Sequence, residues 1–354
     1  MILEKARHLA ISAVVLGGLA LQPLVAQAET TLTVATVDAA GTLRNLAGKK
    51  LRDILEERGA KVKVRHIEGP VLGNAAQVRD QVAEGSVDVI GTDAAWATPY
   101  SNFLKATSYA FIFRDHAHLT SVFESDFMKG LADQIAAEQG VRILGAAILP
   151  SRAYFTSVEP RSANDFEGLK IRSPQLDNWL ASYKALGANP TPVNWNEVFL
   201  ALQTGLVDGG HGLPVDVKPN NWHMAAPNIT DLEDMFAVHV WMINEGRWQA
   251  LSEQEQADLQ HAVNEVNAWM AESASKQNIE AIAQMLKEGE GSYISHSAAK
   301  REAVAALAGA EKVAEFPNAE REKLREMALA AARKMEGQTG WWDEGVLDQI
   351  QAVK

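Results

Sequence analysis

The sequence predicts an α/β fold with two domains, in which mixed, mostly parallel sheets carry helices on both faces. Strand and helix patterns alternate through the first half of the chain, and repeating βαβ units of this size form mostly parallel sheets. The length of 354 residues exceeds what one hydrophobic core usually supports. The last third has the periodicity and composition of long helices.

The first half of the chain alternates between strands and helices. Residues 32–37 are rich in β-branched and apolar side chains and predict a strand, whereas 43–58 place leucine and isoleucine at helical spacing. Gly85 and Gly140 follow helical patterns and predict where those helices end. The other elements predicted here are strands at 61–67, 87–91 and 142–147, and helices at 75–83 and 118–138.

The middle of the chain repeats this alternation with shorter elements, and the end is helical. Ser252 and Glu255 have the spacing of a capping box and predict the start of a long helix over residues 253–288. A second long helix is predicted over 298–336, which is rich in Ala, Glu, Lys and Arg. The shorter elements are a turn and strand at 166–173, helices at 176–186 and 198–204, and a turn at 207–210 that leads into another strand.

The first 28 residues predict a secretory signal peptide. Lys5 and Arg7 form a basic start, an apolar run follows, and Ala26 and Ala28 form a small-x-small cleavage site. Later segments are not apolar enough to insert into a membrane, and the chain contains no cysteine, which excludes disulfides, thiolate metal sites and a lipid-modified cysteine. We therefore expect cleavage after about Ala28 and a periplasmic location.

The formal net charge of −12 disfavours nucleic acid as a partner, because binding nucleic acid requires a basic face. We find no glycine-rich nucleotide loop, no zinc-protease motif and no nucleophile elbow. His116 and His118 are the only close histidine pair, and residues two apart on a helix point in different directions. The sequence thus predicts no catalytic residues, no metal and no cofactor, and argues against an enzyme.

Arg172 is the most informative single residue. It ends a short predicted strand that Pro174 terminates, and side chains on a strand alternate between faces. Ligands of open α/β sheets bind at the carboxyl ends of strands, and a guanidinium there can grip a carboxylate through two parallel hydrogen bonds. A surface arginine paired with a neighbouring acid is the alternative explanation.

Three segments resemble the substrate-binding subunits of tripartite ATP-independent periplasmic (TRAP) transporters. Residues 151–157 (SRAYFTS) resemble that family's arginine-plus-threonine segment. Residues 166–174 (FEGLKIRSP) are similar to its (D/E)-L-K-G-L-K-(I/L)-R-x-P strand. Residues 194–209 (NWNEVFLALQTGLVDG) resemble its (S/N)-E-V-(Y/F)-x-A-L-Q-T-G-x-V-D-G helix and turn, and weaker matches extend over nearly all of the chain that follows the signal peptide.

The resemblance implies a two-lobe periplasmic binding protein fold, with a long helix that braces both lobes. The implied function is that of an extracytoplasmic receptor, which binds a small organic anion between the lobes and delivers it to a TRAP membrane permease. We place the lobe boundaries at 29–149 plus 237–276 for lobe I, and at 150–236 plus 277–354 for lobe II. The ligand-binding residues implied are Arg172, Arg152, Trp195, Asp93, His211 and Asp38.

Each assignment has a plainer alternative. Asp93 has the position of a helix N-cap, Trp195 is of a type that usually packs in a core, and Trp96 and Tyr100 are expected to be packing residues. Many family members carry Gln-Glu-Asn-Pro after the Asp-Gly turn, but this chain has Gly210, His211 and Gly212 followed by Leu-Pro, so the ligand-contacting asparagine is absent. The alternative functions are a ligand sensor for a membrane kinase and a periplasmic enzyme acting on acidic substrates. The sequence leaves open the identity of the anion, the oligomeric state and whether a metal ion accompanies the ligand.

Overall fold

The computed structural model describes residues 30–354, so the predicted signal peptide lies outside the described residues. These residues form two separate sheets, one of five strands and one of seven. The five-stranded sheet has the order β2-β1-β3-β10-β4, and the seven-stranded sheet has the order β12-β11-β9-β5-β8-β6-β7. The strands are β1 (Thr30–Thr36), β2 (Val62–Glu68), β3 (Val89–Asp93), β4 (Val141–Ser151), β5 (Ala153–Thr156), β6 (Lys170–Ser173), β7 (Asn189–Pro192), β8 (Gly209–Gly212), β9 (Asn228–Asp231), β10 (Phe236–Asn244), β11 (Tyr293–Ser295) and β12 (Val313–Glu315).

Both sheets are mixed, as predicted. In the first sheet β1 pairs in parallel with β2 and β3, while β10 is antiparallel to β3 and β4. In the second sheet β6 is parallel to β7 and β8, and β5 is antiparallel to β8 and β9. The carboxyl ends of β1, β3 and β6 are therefore available to position ligand-binding side chains.

Helices cover both sheets. They are α1 (Leu43–Glu57), α2 (Ala75–Glu84), α3 (Asn102–Thr107), α4 (His116–Glu124), α5 (Asp126–Gln139), α6 (Asp177–Ala185), α7 (Val198–Gln203), α8 (Pro214–Val217), α9 (Glu245–Gln249), α10 (Glu253–Glu288), α11 (Ala298–Ala308), α12 (Asn318–Met335) and α13 (Val346–Ala352).

The long helix α10 braces the molecule. It begins at a capping box in which Ser252 accepts from the Glu255 backbone and the Glu255 side chain reaches back to Ser252, as predicted. It packs against β4 and α1 beside the first sheet and against α8 and α11 beside the second. Within residues 30–354, no helix has the length and apolar character that a membrane-spanning segment requires.

Two predicted helices are each interrupted in the structure. The helix predicted over 118–138 is α4 followed by α5, and Ser125 between them caps α5 by accepting from the Met128 backbone. The helix predicted over 298–336 is wrong as one element, because α11, β12 and α12 occupy that stretch. Gly309 there has φ +105°, a conformation that favours glycine, and Pro317 stands immediately before α12.

The chain passes between the sheets more than once. It crosses at Arg152, between β4 and β5, and again through residues 232–235, between β9 and β10. After α10 it returns to the second sheet at β11. The last helix, α13, packs against α3 on the side of the first sheet. These crossings place two groups of strand ends around one cleft.

Candidate functional site

The cleft between the sheets has a volume of about 360 Å³. Side chains at the ends of β1, β3 and β6 line it, together with the start of α2 and the turn that precedes α7. All six residues that the sequence pointed to lie in its wall, and Trp96 does as well. The six are Asp38 after β1, Asp93 at the end of β3, Arg152 between β4 and β5, Arg172 in β6, Trp195 in the turn after β7, and His211 in β8.

Arg172 is buried and has no acidic partner in the described part of the chain. Its residue is 5% exposed, and none of the ion pairs among residues 30–354 includes it. Its Nε donates to the Val193 carbonyl at 2.8 Å, and its guanidinium lies 5.5 Å from the centre of the Trp195 ring. Burial, assisted by the nearby charge of Arg152, lowers the pKa of Arg172 to about 10 against the influence of Tyr183.

The other two arginines of the cleft are paired with acids. Arg152 contacts Asp93 Oδ2 at 2.5 Å and lies over the Trp179 ring at 4.9 Å. Arg44, in the first turn of α1, contacts the same Asp93 oxygen at 2.7 Å and Asp216 Oδ2 at 2.6 Å. Asp216 also accepts from the Leu43 backbone at 3.0 Å. These four charged side chains form a buried network in which two cations offset two anions.

Asp93 organises this network. Its Oδ1 accepts from the Ala95 backbone at 3.0 Å, which is the N-cap geometry considered as an alternative, and its Oδ2 binds both Arg44 and Arg152. Burial alone would raise the pKa of Asp93, but Arg152 and Arg44 outweigh it and lower that pKa. Both carboxylate oxygens are thus engaged within the protein.

Asp38 differs from Asp93 because its carboxylate is unpaired. The residue is 7% exposed, and within residues 30–354 no hydrogen bond or ion pair joins its carboxylate to another residue. Burial raises the pKa of Asp38 to about 6 despite the attraction of Arg44, and Asp216 and Asp93 add to the rise. Apart from a hydrogen bond from its own backbone, the carboxylate of Asp38 has no hydrogen-bond partner among the described residues, and it faces the cleft as an acceptor.

His211 is neutral and held within an aromatic cluster. Its ring stacks on Tyr154 at 4.0 Å between centroids, with 2° between the ring planes, and its Nδ1 lies 3.2 Å from the Tyr183 hydroxyl. Burial, reinforced by the charge of Arg152, holds the pKa of His211 well below its ordinary value. The ring is therefore uncharged at neutral pH and adds no positive charge to the cleft.

The missing asparagine at position 212 has a steric explanation. A Cβ atom on Gly212 would lie 2.7 Å from Val217 Cγ2 and 3.3 Å from both the Trp195 and Trp222 rings. These two tryptophan rings contact each other at 4.4 Å. Trp195, together with the fully buried Trp222, therefore fills the space that a side chain at position 212 would need.

Sequence reasoning missed Arg44, Asp216 and Trp179, all of which belong to this arrangement. A signal for Arg44 was present, because a cation in the first turn of a helix opposes the helix dipole and needs a compensating acid. Asp216 and Trp179 carried no comparable local signal. Among residues 30–354, no group of three or more histidine, aspartate or glutamate side chains has the arrangement of a metal site.

Comparison with known proteins identifies the family. The sequence profile of bacterial extracellular solute-binding protein family 7 (DctP) matches residues 34–316. The chain therefore belongs to solute-binding protein family 7. Its function is therefore that of an extracellular solute-binding receptor.

Individual relatives agree with this assignment. The sialic acid-binding periplasmic protein SiaP of Vibrio cholerae is 27% identical over 263 residues, which cover 74% of this chain and 82% of that protein. The ectoine-binding periplasmic protein TeaA of Halomonas elongata is 32% identical over 148 residues, covering 40% of this chain and 41% of TeaA. These relatives are solute-binding receptors rather than enzymes.

Solved structures share the two-lobe fold of the family 7 receptor. The sugar acid binding protein DctPAm from Advenella mimigardefordensis, in complex with galactonate, superposes with a TM-score of 0.78 at 21% identity, covering 92% of this chain and 98% of that one. A TRAP periplasmic solute-binding protein from Shewanella oneidensis with bound succinate gives 0.79 at 18% identity, covering 92% and 99%. At these identities the likeness supports the fold, which confirms the predicted fold class.

Proposed function

We propose that the cleft binds an organic carboxylate directly through Arg172 and that the two lobes close around it. The lobes correspond to the two sheets, with boundaries near 29–149 plus 237–276 and 150–236 plus 277–354, although α13 packs against the side of the first sheet. We assign residues 1–28 as the signal peptide that directs export. The mature chain is then released into the periplasm, where it delivers the bound acid to a TRAP permease.

The observation that carries this proposal is the uncompensated charge of Arg172. A buried cation without an anionic partner is costly in a low-dielectric environment. Its Nε is used by the Val193 carbonyl, whereas no hydrogen bond to a described residue uses either terminal nitrogen. A carboxylate that enters the cleft therefore meets a preformed guanidinium and restores the missing charge.

Other cleft residues support this contact. Asp93 holds the guanidinium of Arg152 on the Trp179 ring, and this arrangement fixes a second positive group beside the carboxylate site. Trp195 lies against the Arg172 guanidinium and forms the adjacent wall. His211 is neutral and hydrogen-bonded to Tyr183, so its ring forms part of the cleft wall and adds no charge to it.

Titration calorimetry on Arg172 variants tests the proposal. A thermal-shift screen of small organic acids first identifies a ligand, because a molecule that binds the folded state raises its melting temperature. Arg172→Ala should then weaken binding by roughly a hundredfold or more, since the bound anion would be buried without its partner. Arg172→Lys should also weaken binding, because lysine lacks the planar fork.

Arg325→Ala is the matched control, because Arg325 pairs with Glu322 on the outside of α12. It should bind the acid as tightly as the unmodified protein. Unchanged affinity in Arg172→Ala would overturn the assignment of Arg172. Nuclear magnetic resonance of the acid after incubation with the protein should recover it unaltered, whereas a product would point to an enzyme.

A further inference from the structure

The charges around the cleft are not symmetric between the two lobes. On the side of the second sheet, the positive charge of Arg172 has no described acidic partner. Arg44 and Arg152 are offset by Asp93 and Asp216. One uncompensated cation therefore faces an entering ligand, which matches one carboxylate.

On the opposite lobe, Asp38 faces the same cleft with a free carboxylate. It follows β1 of the first sheet, whereas Arg172 lies in β6 of the second. The two groups do not compensate each other: the pKa of Asp38 responds to burial, Arg44, Asp216 and Asp93, and that of Arg172 to burial, Tyr183 and Arg152. A ligand between them meets a cation at one lobe and a hydrogen-bond acceptor at the other.

The rest of the wall is rich in neutral amides. Amide groups both donate and accept hydrogen bonds, which suits hydroxyl groups that do the same. A second carboxylate on the ligand would find no further unpaired cation here and would be repelled by Asp38. The amide side chains of the wall belong to Asn74, Gln175, Asn194 and Asn196. Asn74 Oδ1 already accepts from the Gln77 backbone, and Asn194 donates to Glu197, a further carboxylate of the wall.

We propose that the ligand is a hydroxylated monocarboxylate, whose carboxylate binds Arg172 and whose hydroxyl group donates to Asp38. This inference rests on the proposed function and narrows its substrate class. A dicarboxylate is disfavoured because its second carboxylate would meet Asp38. An amino acid is the competing ligand class, because its ammonium group would pair with the carboxylate of Asp38, and 4-aminobutyrate represents that class in the test.

The test compares matched acids. Gluconate and glucarate differ only in whether the last carbon is an alcohol or a carboxylate, and erythronate, succinate and 4-aminobutyrate share a four-carbon chain. Thermal shift and titration calorimetry should show a hydroxylated monocarboxylate of this panel binding at least about tenfold more tightly than its dicarboxylate partner.

Asp38→Asn removes the negative charge and keeps the size of the side chain. This variant should bind the hydroxylated monocarboxylate about tenfold more weakly, because a charge-assisted hydrogen bond becomes a neutral one. It should bind the dicarboxylate more tightly. Asp126→Asn is the control, since Asp126 is 97% exposed in its side chain and lies outside the cleft. It should leave the ratio of affinities unchanged.

The outcomes separate this inference from the proposed function. If a dicarboxylate or 4-aminobutyrate binds more tightly than every hydroxylated monocarboxylate, and Arg172→Ala abolishes that binding, the inference is overturned and the proposed function stands. If the acids bind Arg172→Ala as tightly as they bind the unmodified protein, the proposed function fails. If no acid of the panel binds, the inference is overturned. An unchanged ratio of affinities in Asp38→Asn also contradicts the role of Asp38.

Discussion

Arg172 illustrates a conflict between stability and binding at the scale of one residue. Its charge is buried at 5% exposure without an acidic partner in the described chain, and burial lowers its pKa from 12.5 to about 10. A shift of this size corresponds to about 3 kcal/mol that the folded state loses by holding the charge. The same uncompensated charge attracts the ligand, so the feature that favours binding also lowers the stability of the ligand-free protein.

We therefore predict that Arg172→Met stabilises the ligand-free protein while it abolishes binding. Methionine fills similar space without the charge, and the lost bond to Val193 and contact with Trp195 offset part of the gain. The net increase in the free energy of unfolding should be about 1–2 kcal/mol. Urea unfolding measures this increase, with Arg325→Met, a partly exposed arginine paired with Glu322, as the control. A lower unfolding free energy in Arg172→Met would show that the charge is compensated in the folded state.

Asp38 leads to a prediction about pH. Burial raises its pKa from the ordinary 3.8 to about 6, although Arg44 opposes the rise. A carboxyl with a raised folded-state pKa stabilises the fold fully below the unfolded value and loses that contribution as pH rises through the folded value. Asp38→Asn should thus raise the melting temperature of the ligand-free protein at pH 8, and this gain should disappear by about pH 4.

Differential scanning fluorimetry between these pH values measures the gain, which corresponds to at most about 3 kcal/mol. Taking the difference between variant and unmodified protein at each pH cancels the contributions of the other titrating groups. Asp126→Asn should not reproduce a gain at pH 8 that disappears at pH 4, because the hydrogen bond from Lys129 lowers the pKa of this exposed carboxyl and any pH-dependent difference has the opposite sign. A gain that is constant from pH 4 to pH 8 would contradict the raised pKa.

At the scale of elements, local signals predicted helices better than strands. The predicted bounds of α10 match the structure, because its capping box and its composition agree. β5, β7, β9, β10, β11 and β12 were not predicted as strands, and two of them show why. β10 is buried along most of its length between β3 and β4 and therefore lacks polar–apolar alternation, and β7 contains two prolines and is an edge strand.

The interrupted helices show a second limit. Over 298–336 the helix-forming composition outweighed Gly309 and Pro317, which mark the real ends, and the pairing of β12 with β11 depends on contacts distant in sequence.

The cleft likewise combines residues that local sequence identifies with residues that only the fold brings together. Arg152, Arg172 and Asp93 could be named from motifs, whereas the pairing of Arg44 with Asp93 and Asp216 is set by the way α1, β3 and α8 meet. Gly212 could be recognised as a departure, whereas the filling of its space by Trp222 required the fold.

At the scale of the molecule, a partly buried cluster lies where the chain crosses between the sheets. Lys300 of α11 contacts Ser151 Oγ at the end of β4, Asp231 Oδ2 at the end of β9 and Glu233 Oε1, each at 2.8 Å. Glu233 has a left-handed backbone with φ +49° and also pairs with His296 at 3.0 Å. The proposed closure of the lobes must pass through these crossings, so this cluster lies at the proposed hinge.

Removing the central cation should therefore destabilise the whole protein. Burial would raise the pKa of Glu233, but the bond from His296 and the charge of Lys300 outweigh it and lower that pKa to about 2. Lys300→Met leaves Asp231 and Glu233 partly buried without their shared partner, which should lower the free energy of unfolding by about 3 kcal/mol. Lys276→Met, on an 81% exposed side chain of α10, should change it by less than about 0.5 kcal/mol. Urea unfolding at neutral pH measures both, and equal stability of the two variants would mean that the crossings are held by packing alone.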